Sequence, residues 1–273
     1  MFRTKKSLGQ NFLINPHILD KIVSVAEITK NDTVIEIGPG TGNLTKRLAE
    51  KSKRTIAIER DRELIPILKE NLKDYTNIEI IEGDILKLNP TALLRYCATS
   101  YKIVANIPYY ITSHLLKTVF EEWPKPELIV LTIQREVAQR IMAKPPHMNL
   151  LALSVQYYSE PEIIGYISKN NFRPIPKVDS AIIKLSSRSL ASGRDPEEIR
   201  NPKQTREIFK IMKIGFSEKR KQLAPILSKK LKIEKEKTLR SLKQAGVGIT
   251  ARAENLSLEQ WELLAQSLGT YGD

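Results

Sequence analysis

The sequence predicts an α/β protein in which a doubly wound, mostly parallel sheet is followed by a small all-helical domain. Three observations carry that expectation. Short apolar runs alternate with helix-period segments over the first 188 or so residues, a glycine-rich turn closes the first buried run, and beyond residue 203 the pattern is helical throughout.

Asn15-Pro16 reads as an N-cap followed by proline at the first helical position, and Ile18, Leu19, Ile22, Val23 and Ala26 recur behind it at helical spacing. Thr33 to Ile37 is a buried strand that runs into Gly38-Pro39-Gly40-Thr41-Gly42, with a helix expected from Leu44 to Glu50. Thr55 to Glu59 is the second strand, Glu63 to Leu72 the second helix of the sheet region, and Ile78 to Ile81 the third strand. Lys102 to Ala105, Glu127 to Ile133 and Ala181 to Leu185 are further strands, with helices at Thr112 to Glu122 and Leu150 to Tyr158 between them. Residues 186–203 are rich in Ser, Gly, Pro and charge and read as a linker. Helices near 205–214, 219–230, 234–245 and 257–268 complete the chain. The expected domains are 1–190, with a basic N-terminal arm, and 203–273.

Composition excludes several classes of function. No apolar run approaches the ~18–20 residues that cross a bilayer, and the first ten residues hold no apolar targeting core. A single cysteine, Cys97, excludes an internal disulfide, and His17, His114 and His147 show no metal-ligand spacing. A cytoplasmic, metal-free monomer without membrane contact is expected. Lys and Arg number 44 against 31 acids, a net charge of +13. The excess is uneven: residues 201–240 carry 13 basic and 4 acidic side chains, and residues 1–10 carry Arg3, Lys5 and Lys6 with no acid. Such patches fit a polyanion, nucleic acid being the natural one, although a solvated lysine-rich face has the same composition.

Glycines at the end of a first strand let the backbone turn tightly and approach a bound nucleotide. The spacing here is G-x-G-x-G, neither the dinucleotide fingerprint nor a P-loop, and alone it is weak evidence. Glu59 ends the second strand 17 residues after Gly42, where a carboxylate can accept both ribose hydroxyls of an adenosine. Asp84 follows the third strand and can accept an exocyclic amine of an adenine. Gly, Glu and Asp delivered by three successive strand ends fit an adenosine site at the carboxyl edge of the sheet.

Asn106-Ile107-Pro108-Tyr109 follows the fourth strand. An exocyclic amine on a planar base is a poor nucleophile because its lone pair is delocalised into the ring. The Asn106 amide oxygen and a backbone carbonyl at Pro108 can accept its two N–H groups and free that lone pair, while Tyr109 stacks on the base. Such a base must first leave its own stack. Phe172, in Phe172-Arg173-Pro174-Ile175-Pro176-Lys177-Val178-Asp179-Ser180, could close the opposite face of the base, or be a core phenylalanine before a proline turn.

Taken with Gly9-Gln10-Asn11-Phe12-Leu13 and Arg252-Ala253-Glu254-Asn255-Leu256-Ser257, these motifs resemble the KsgA-type ribosomal RNA adenine dimethyltransferases from about residue 3 to 268. The resemblance implies a class I methyltransferase fold, Rossmann-like, whose small helical domain helps grip RNA. It implies that Gln10, Asn11, Leu13, Gly38, Gly40, Glu59, Asp84 and Asn106 contact S-adenosyl-L-methionine, released as S-adenosyl-L-homocysteine, with no metal. It also implies that Asn106 and the Pro108 carbonyl hold the target amine, with Tyr109 and Phe172 around the base. The implied reaction is dimethylation of N6 on two adjacent adenines in a hairpin loop near the 3′ end of small-subunit ribosomal RNA, coupled to late subunit assembly, with the small subunit as partner.

Two departures stand out. The family's F-x-x-R-R-K run reads Phe216-Ser217-Glu218-Lys219-Arg220-Lys221 here, so Lys219, Arg220 and Lys221 keep the charge for RNA while Lys219 lacks the forked geometry of arginine. A Tyr-Gly pair often precedes the family's L-S-V segment, where this chain has Leu150 to Ala152. The rivals are a large-subunit RNA methyltransferase of the macrolide-resistance type, which shares the glycine and NIPY elements, and a non-catalytic ribosome-assembly factor. The PKVDS and RAENLS segments look more like the small-subunit group, and the intact site residues speak against lost activity.

Overall fold

The computed structural model describes residues 9–89, 100–188, 202–218 and 220–269. Its centre is a seven-stranded sheet. In chain order, β1 (Phe12–Leu13), α1 (Pro16–Val25), β2 (Thr33–Ile37), α2 (Asn43–Lys51), β3 (Arg54–Glu59), α3 (Leu64–Asn71), β4 (Ile78–Glu82) and β5 (Lys102–Asn106) come first. They are followed by α4 (Thr112–Glu122), β6 (Leu128–Gln134), α5 (Arg135–Ile141), α6 (Leu150–Tyr158), β7 (Ser159–Ile167), β8 (Phe172–Arg173) and β9 (Ser180–Ser187). The sheet order is β4-β3-β2-β5-β6-β9-β7, and β1 and β8 form a separate antiparallel pair.

Strands β4, β3, β2, β5 and β6 run parallel, and β9 lies antiparallel to β6. All five residues of β2 are buried, as a parallel strand covered on both faces requires, and its near-continuous apolar run follows from that. The chain goes outward from β2 through β3 to β4, then crosses back to β5 on the other side. That reversal opens a crevice beyond the carboxyl ends of β2 and β5, the place where such sheets bind ligands. On one face, Leu19, Ile22, Leu44, Leu48, Val104, Val130 and Ile182 share a core. The Asn15 cap forms as expected, its side chain accepting the His17 N–H at 3.0 Å.

The expected strands and helices recur within a few residues of their bounds, while α5 and β7 were not expected. β7, Ser-Glu-Pro-Glu-Ile-Ile-Gly-Tyr-Ile, carries Pro161 and Gly165, which hide a strand from composition. It lies at the sheet edge, where a missing N–H costs no ladder bond on the open side.

The chain divides into two compact units, 1–138 with 160–187, and 139–159 with 188–273. The expected division at 190–203 is corrected by α6: its Ala152, Leu153 and Tyr157 share a core with Phe209, Met212 and Trp261. Leu150–Tyr158 is apolar on nearly every face, so its sequence leaves open which core it joins. The second unit also contains α7 (Pro202–Gly215), α8 (Leu223–Leu231), α9 (Lys235–Gln244) and α10 (Leu258–Ser267). A capping box starts α10, with Gln260 N–H on Ser257 Oγ at 3.2 Å and Ser257 N–H on Gln260 Oε1 at 3.0 Å. Most of the expected linker lies outside the described residues. Among the described residues no helix is long and apolar enough to cross a membrane, and no group of His, Cys, Asp or Glu could hold a metal ion.

Candidate active site

The ends of β2, β3, β4 and β5 and the segment from Gly9 to Phe12 converge on a cleft of about 770 Å³, open to solvent. Gln10, Asn11, Gly38, Gly40, Glu59, Asp84, Asn106, Pro108 and Tyr109 all line it. A smaller cavity of about 300 Å³ shares Phe12, Gly38 and Asn106 with the cleft and is walled by Glu36 and Leu13.

The glycine turn is shaped by close approach. Gly40 has φ +60°, and a Cβ placed there would lie 2.6 Å from the Phe12 ring. Only glycine lets the turn pass beneath that ring.

Glu59 ties two loops together. Its Oε2 accepts the Gly40 N–H at 3.1 Å and its Oε1 the Asp61 N–H at 2.8 Å. Burial pushes its carboxyl above the usual range, and the two N–H groups hold that rise back. Each oxygen keeps a lone pair for a ligand hydroxyl. Asp61 in turn accepts the Gln10 amide at 2.7 Å, anchoring the N-terminal segment over the cleft. Asp84 uses Oδ1 to accept the Leu86 N–H at 3.1 Å, while its Oδ2 lies 3.5 Å from Arg60.

Asn106 is held by its amide nitrogen, which donates to the Asn11 carbonyl at 2.9 Å. That contact pins the side chain and leaves Oδ1 as an acceptor. The Pro108 carbonyl accepts the Ile111 N–H at 3.2 Å, closing the 3₁₀ turn at Tyr109–Ile111, so one lone pair remains for a substrate. Ile107, directly before that turn, lines the same cleft. The Tyr109 hydroxyl is 2.6 Å from Ser180 Oγ. Burial raises its pKa, Glu136 and Asp179 add to the rise, and the Ser180 bond opposes it. Tyr109 is therefore a neutral wall of the cleft at physiological pH.

One expected site residue lies elsewhere, and a second stands at the adjoining cavity. Phe172 is fully buried, paired across β8 to Leu13 of β1, and belongs to the sheet core. It presents no face to a base, because the β1–β8 pair turns its ring inward among apolar neighbours. Leu13 is also a core residue and lines the smaller cavity beside Glu36. Of the expected RNA contacts, Arg3, Lys5, Lys6 and Lys219 lie outside the described residues. Arg220 and Lys221 are exposed in the helical unit, where Lys221 Nζ pairs with Glu218 at 2.5 Å.

The structure adds three residues that the motifs did not single out. Arg60 bridges Asp84 to the Tyr110 hydroxyl, which it reaches at 3.3 Å, and Tyr110 lines the mouth of the cleft. Each directly follows an expected residue or motif, Glu59 and NIPY, and adjacency was the available signal. Glu36 is the third. It is 1% exposed, and its Oε2 has no hydrogen-bond partner among the described residues. Burial pushes its carboxyl up to about 8, with the Glu59 charge adding to the rise.

A carboxyl protonated in the fold and ionised in the unfolded chain favours folding at low pH, and that contribution is lost as pH rises from its ordinary range toward 8. The free protein is therefore expected to lose more stability between pH 6 and pH 8.5 than Glu36→Gln does. Thermal melts of the two at both pH values check this, and parallel pH profiles would show that Glu36 is already ionised at pH 6.

The chain matches the family described as Ribosomal RNA adenine dimethylase over residues 1–269. It is 40% identical over 262 residues to the Ribosomal RNA small subunit methyltransferase A of Dehalococcoides mccartyi, covering 96% of this chain and 87% of that protein. To the protein of the same name from Clostridium botulinum it is 41% identical over 269 residues, covering 98% and 94%. Among solved structures, it is similar to a dimethyladenosine transferase from Plasmodium falciparum at 28% identity and a TM-score of 0.78, covering 96% and 98% of the two chains. The 23S rRNA methyltransferase ErmE is similar at 27% identity and a TM-score of 0.74, covering 95% and 100%.

Proposed function

The chain belongs to the ribosomal RNA adenine dimethylase family and is an S-adenosylmethionine-dependent dimethyltransferase of small-subunit ribosomal RNA, and we propose that the cleft at β2–β5 is where it acts, on two adjacent adenines of a hairpin loop. The observation that carries this reading is the convergence of Gly40, Glu59, Asp84 and Asn106 on one cleft at the reversal of strand order.

The residues fit the cofactor. Glu59 and Asp84 supply acceptors for the hydroxyls and amine of an adenosine, and the glycine turn admits its close approach. Glu36, in the adjoining cavity, offers Oε2 as an acceptor for the ammonium of an amino acid, whose positive charge favours the ionised carboxyl and draws its raised pKa back down. When bound, S-adenosylmethionine supplies an electrophilic methyl group on its sulfonium.

The chain's own residues then act on the incoming base. Asn106 Oδ1 accepts one N–H of the adenine amine, and the carbonyl of Pro108 or of the adjacent Ile107 accepts the other. Held this way, the nitrogen moves toward tetrahedral geometry and its lone pair leaves the ring. Tyr109 lies alongside the base and, as a neutral phenol bonded to Ser180, takes no proton. The amine proton leaves to water once the nitrogen carries positive charge, so the protein supplies orientation rather than a base.

The test is incubation with methyl-labelled S-adenosylmethionine and, separately, unmodified small subunits, large-subunit RNA and duplex DNA, with nucleoside mass spectrometry of the products. Dimethyladenosine from small subunits alone is expected. Label in large-subunit RNA would favour the second reading, which the likeness to ErmE supports. No label in any substrate, with RNA still bound, would favour an assembly factor.

The helical unit is the proposed RNA grip, with Arg220 and Lys221 attracting phosphate together with Lys219 and the arm at Arg3, Lys5 and Lys6. Arg220→Ala with Lys221→Ala is expected to reduce the log–log salt slope of RNA binding by up to about 1.4. A slope unchanged across 50–200 mM salt, on the order of the range where such contacts register, would make these residues a solvated surface.

A further inference from the structure

We propose that Arg135 and Tyr166 form a stacking platform for an unpaired base next to the target adenine, an RNA subsite that rests on the reading above and lies outside the cleft. Tyr166, on β7, is 53% exposed, and the guanidinium carbon of Arg135 sits 4.7 Å from its ring centroid. Among the described residues, the aromatic rings in the exposed apolar set are Tyr110 and Tyr166. Tyr110 is accounted for at the mouth of the cleft, bonded to Arg60. Tyr166 has no such role.

The platform continues the wall that Tyr109 begins. Tyr109 bonds Ser180, and Ser180 pairs with Gln134 at the end of β6. The next residue, Arg135, donates its backbone N–H to the Asp179 carbonyl at 3.0 Å and lays its side chain over Tyr166. The surface thus runs along the carboxyl edge of the sheet from β5, past β6 and β9, to β7. Lys169, Arg173 and Lys177 are exposed on the connections that follow β7. The Asp179 carboxylate is engaged by the Lys169 N–H at 3.0 Å, and Glu136 is the exposed acid beside the pair.

The chemistry calls for such a surface. A base drawn into the cleft leaves its stack, and its neighbours lose a partner on the side it vacates. Unpaired bases regain that contact on aromatic rings or guanidinium planes. A guanidinium already stacked on a tyrosine is weakly hydrated and pre-oriented, so a base can lie on the pair without first ordering it.

With unmodified small subunits as substrate, Tyr166→Ala and Arg135→Ala are each expected to raise the KM for the subunit about tenfold, with kcat and the KM for S-adenosylmethionine unchanged. Tyr166→Phe keeps the ring and is expected to match the wild type. An unchanged subunit KM in both alanine variants overturns the platform, as does a Tyr166→Phe defect equal to that of Tyr166→Ala. A parallel loss of kcat and cofactor KM also overturns it, because that marks a structural role. Wild-type turnover on small subunits tests the underlying reading. Should that turnover be absent, equilibrium binding of a short single-stranded RNA decides the platform alone: binding weakened about tenfold by Tyr166→Ala supports it, and equal binding overturns it.

Discussion

Asn106→Ala is expected to lower the single-turnover methylation rate by about 10²–10³-fold, the cost typical of removing one preorganised hydrogen-bond partner of a reacting group. The alanine removes Oδ1, the proposed acceptor for the adenine amine, and also the amide bond to the Asn11 carbonyl. The second loss loosens the N-terminal segment, so a small fall in cofactor affinity accompanies the large fall in rate. Single-turnover rates and calorimetric titration of S-adenosylmethionine, measured on the same preparation, separate the two. Equal losses in rate and affinity would mean that Asn106 mainly secures the cofactor through Asn11, and the role in activating the amine would fall.

Glu59→Ala is expected to have its largest effect on binding, weakening S-adenosylmethionine by about 10²-fold, since hydrogen bonds to a buried charged group each contribute ~1.5–3 kcal/mol. The carboxylate is the proposed ribose acceptor and also the clamp on the Gly40 and Asp61 N–H groups, which become unsatisfied without it. Glu59→Gln is not expected to rescue it. The two N–H groups are accepted by different oxygens, and an amide offers one oxygen and turns a donor toward the other N–H. A lowered melting temperature with unchanged cofactor affinity would reduce Glu59 to a loop clamp.

The residues that meet at the cleft were legible because strand-end position is written in the chain. Gly38, Gly40, Glu59, Asp84 and Asn106 each follow an apolar run, and parallel crossovers bring all such ends to one edge. The contacts that hold the lining in place were not legible. Gln10 reaches Asp61 across 51 residues, Tyr109 reaches Ser180 across 71, and Arg60 reaches Tyr110 across 50. Partners this remote depend on the sheet order, and no local pattern specifies it. Phe172 shows the same limit from the other side: its motif fits a base-stacking ring, and pairing with Leu13 sends it into the core.

By itself, then, the amino-acid sequence determined most of the strands and helices, the glycine turn, the strand-end acids and the Asn-x-Pro-Tyr segment, because periodicity and turn chemistry act over a few residues. The tertiary structure alone decided that β7 closes the sheet and that 139–159 joins the helical unit. It also decided that Glu36 is buried with an oxygen unpaired and that Arg135 lies on Tyr166. Each of these depends on which surfaces meet when the chain collapses, and burial, charge and stacking arise only at that meeting.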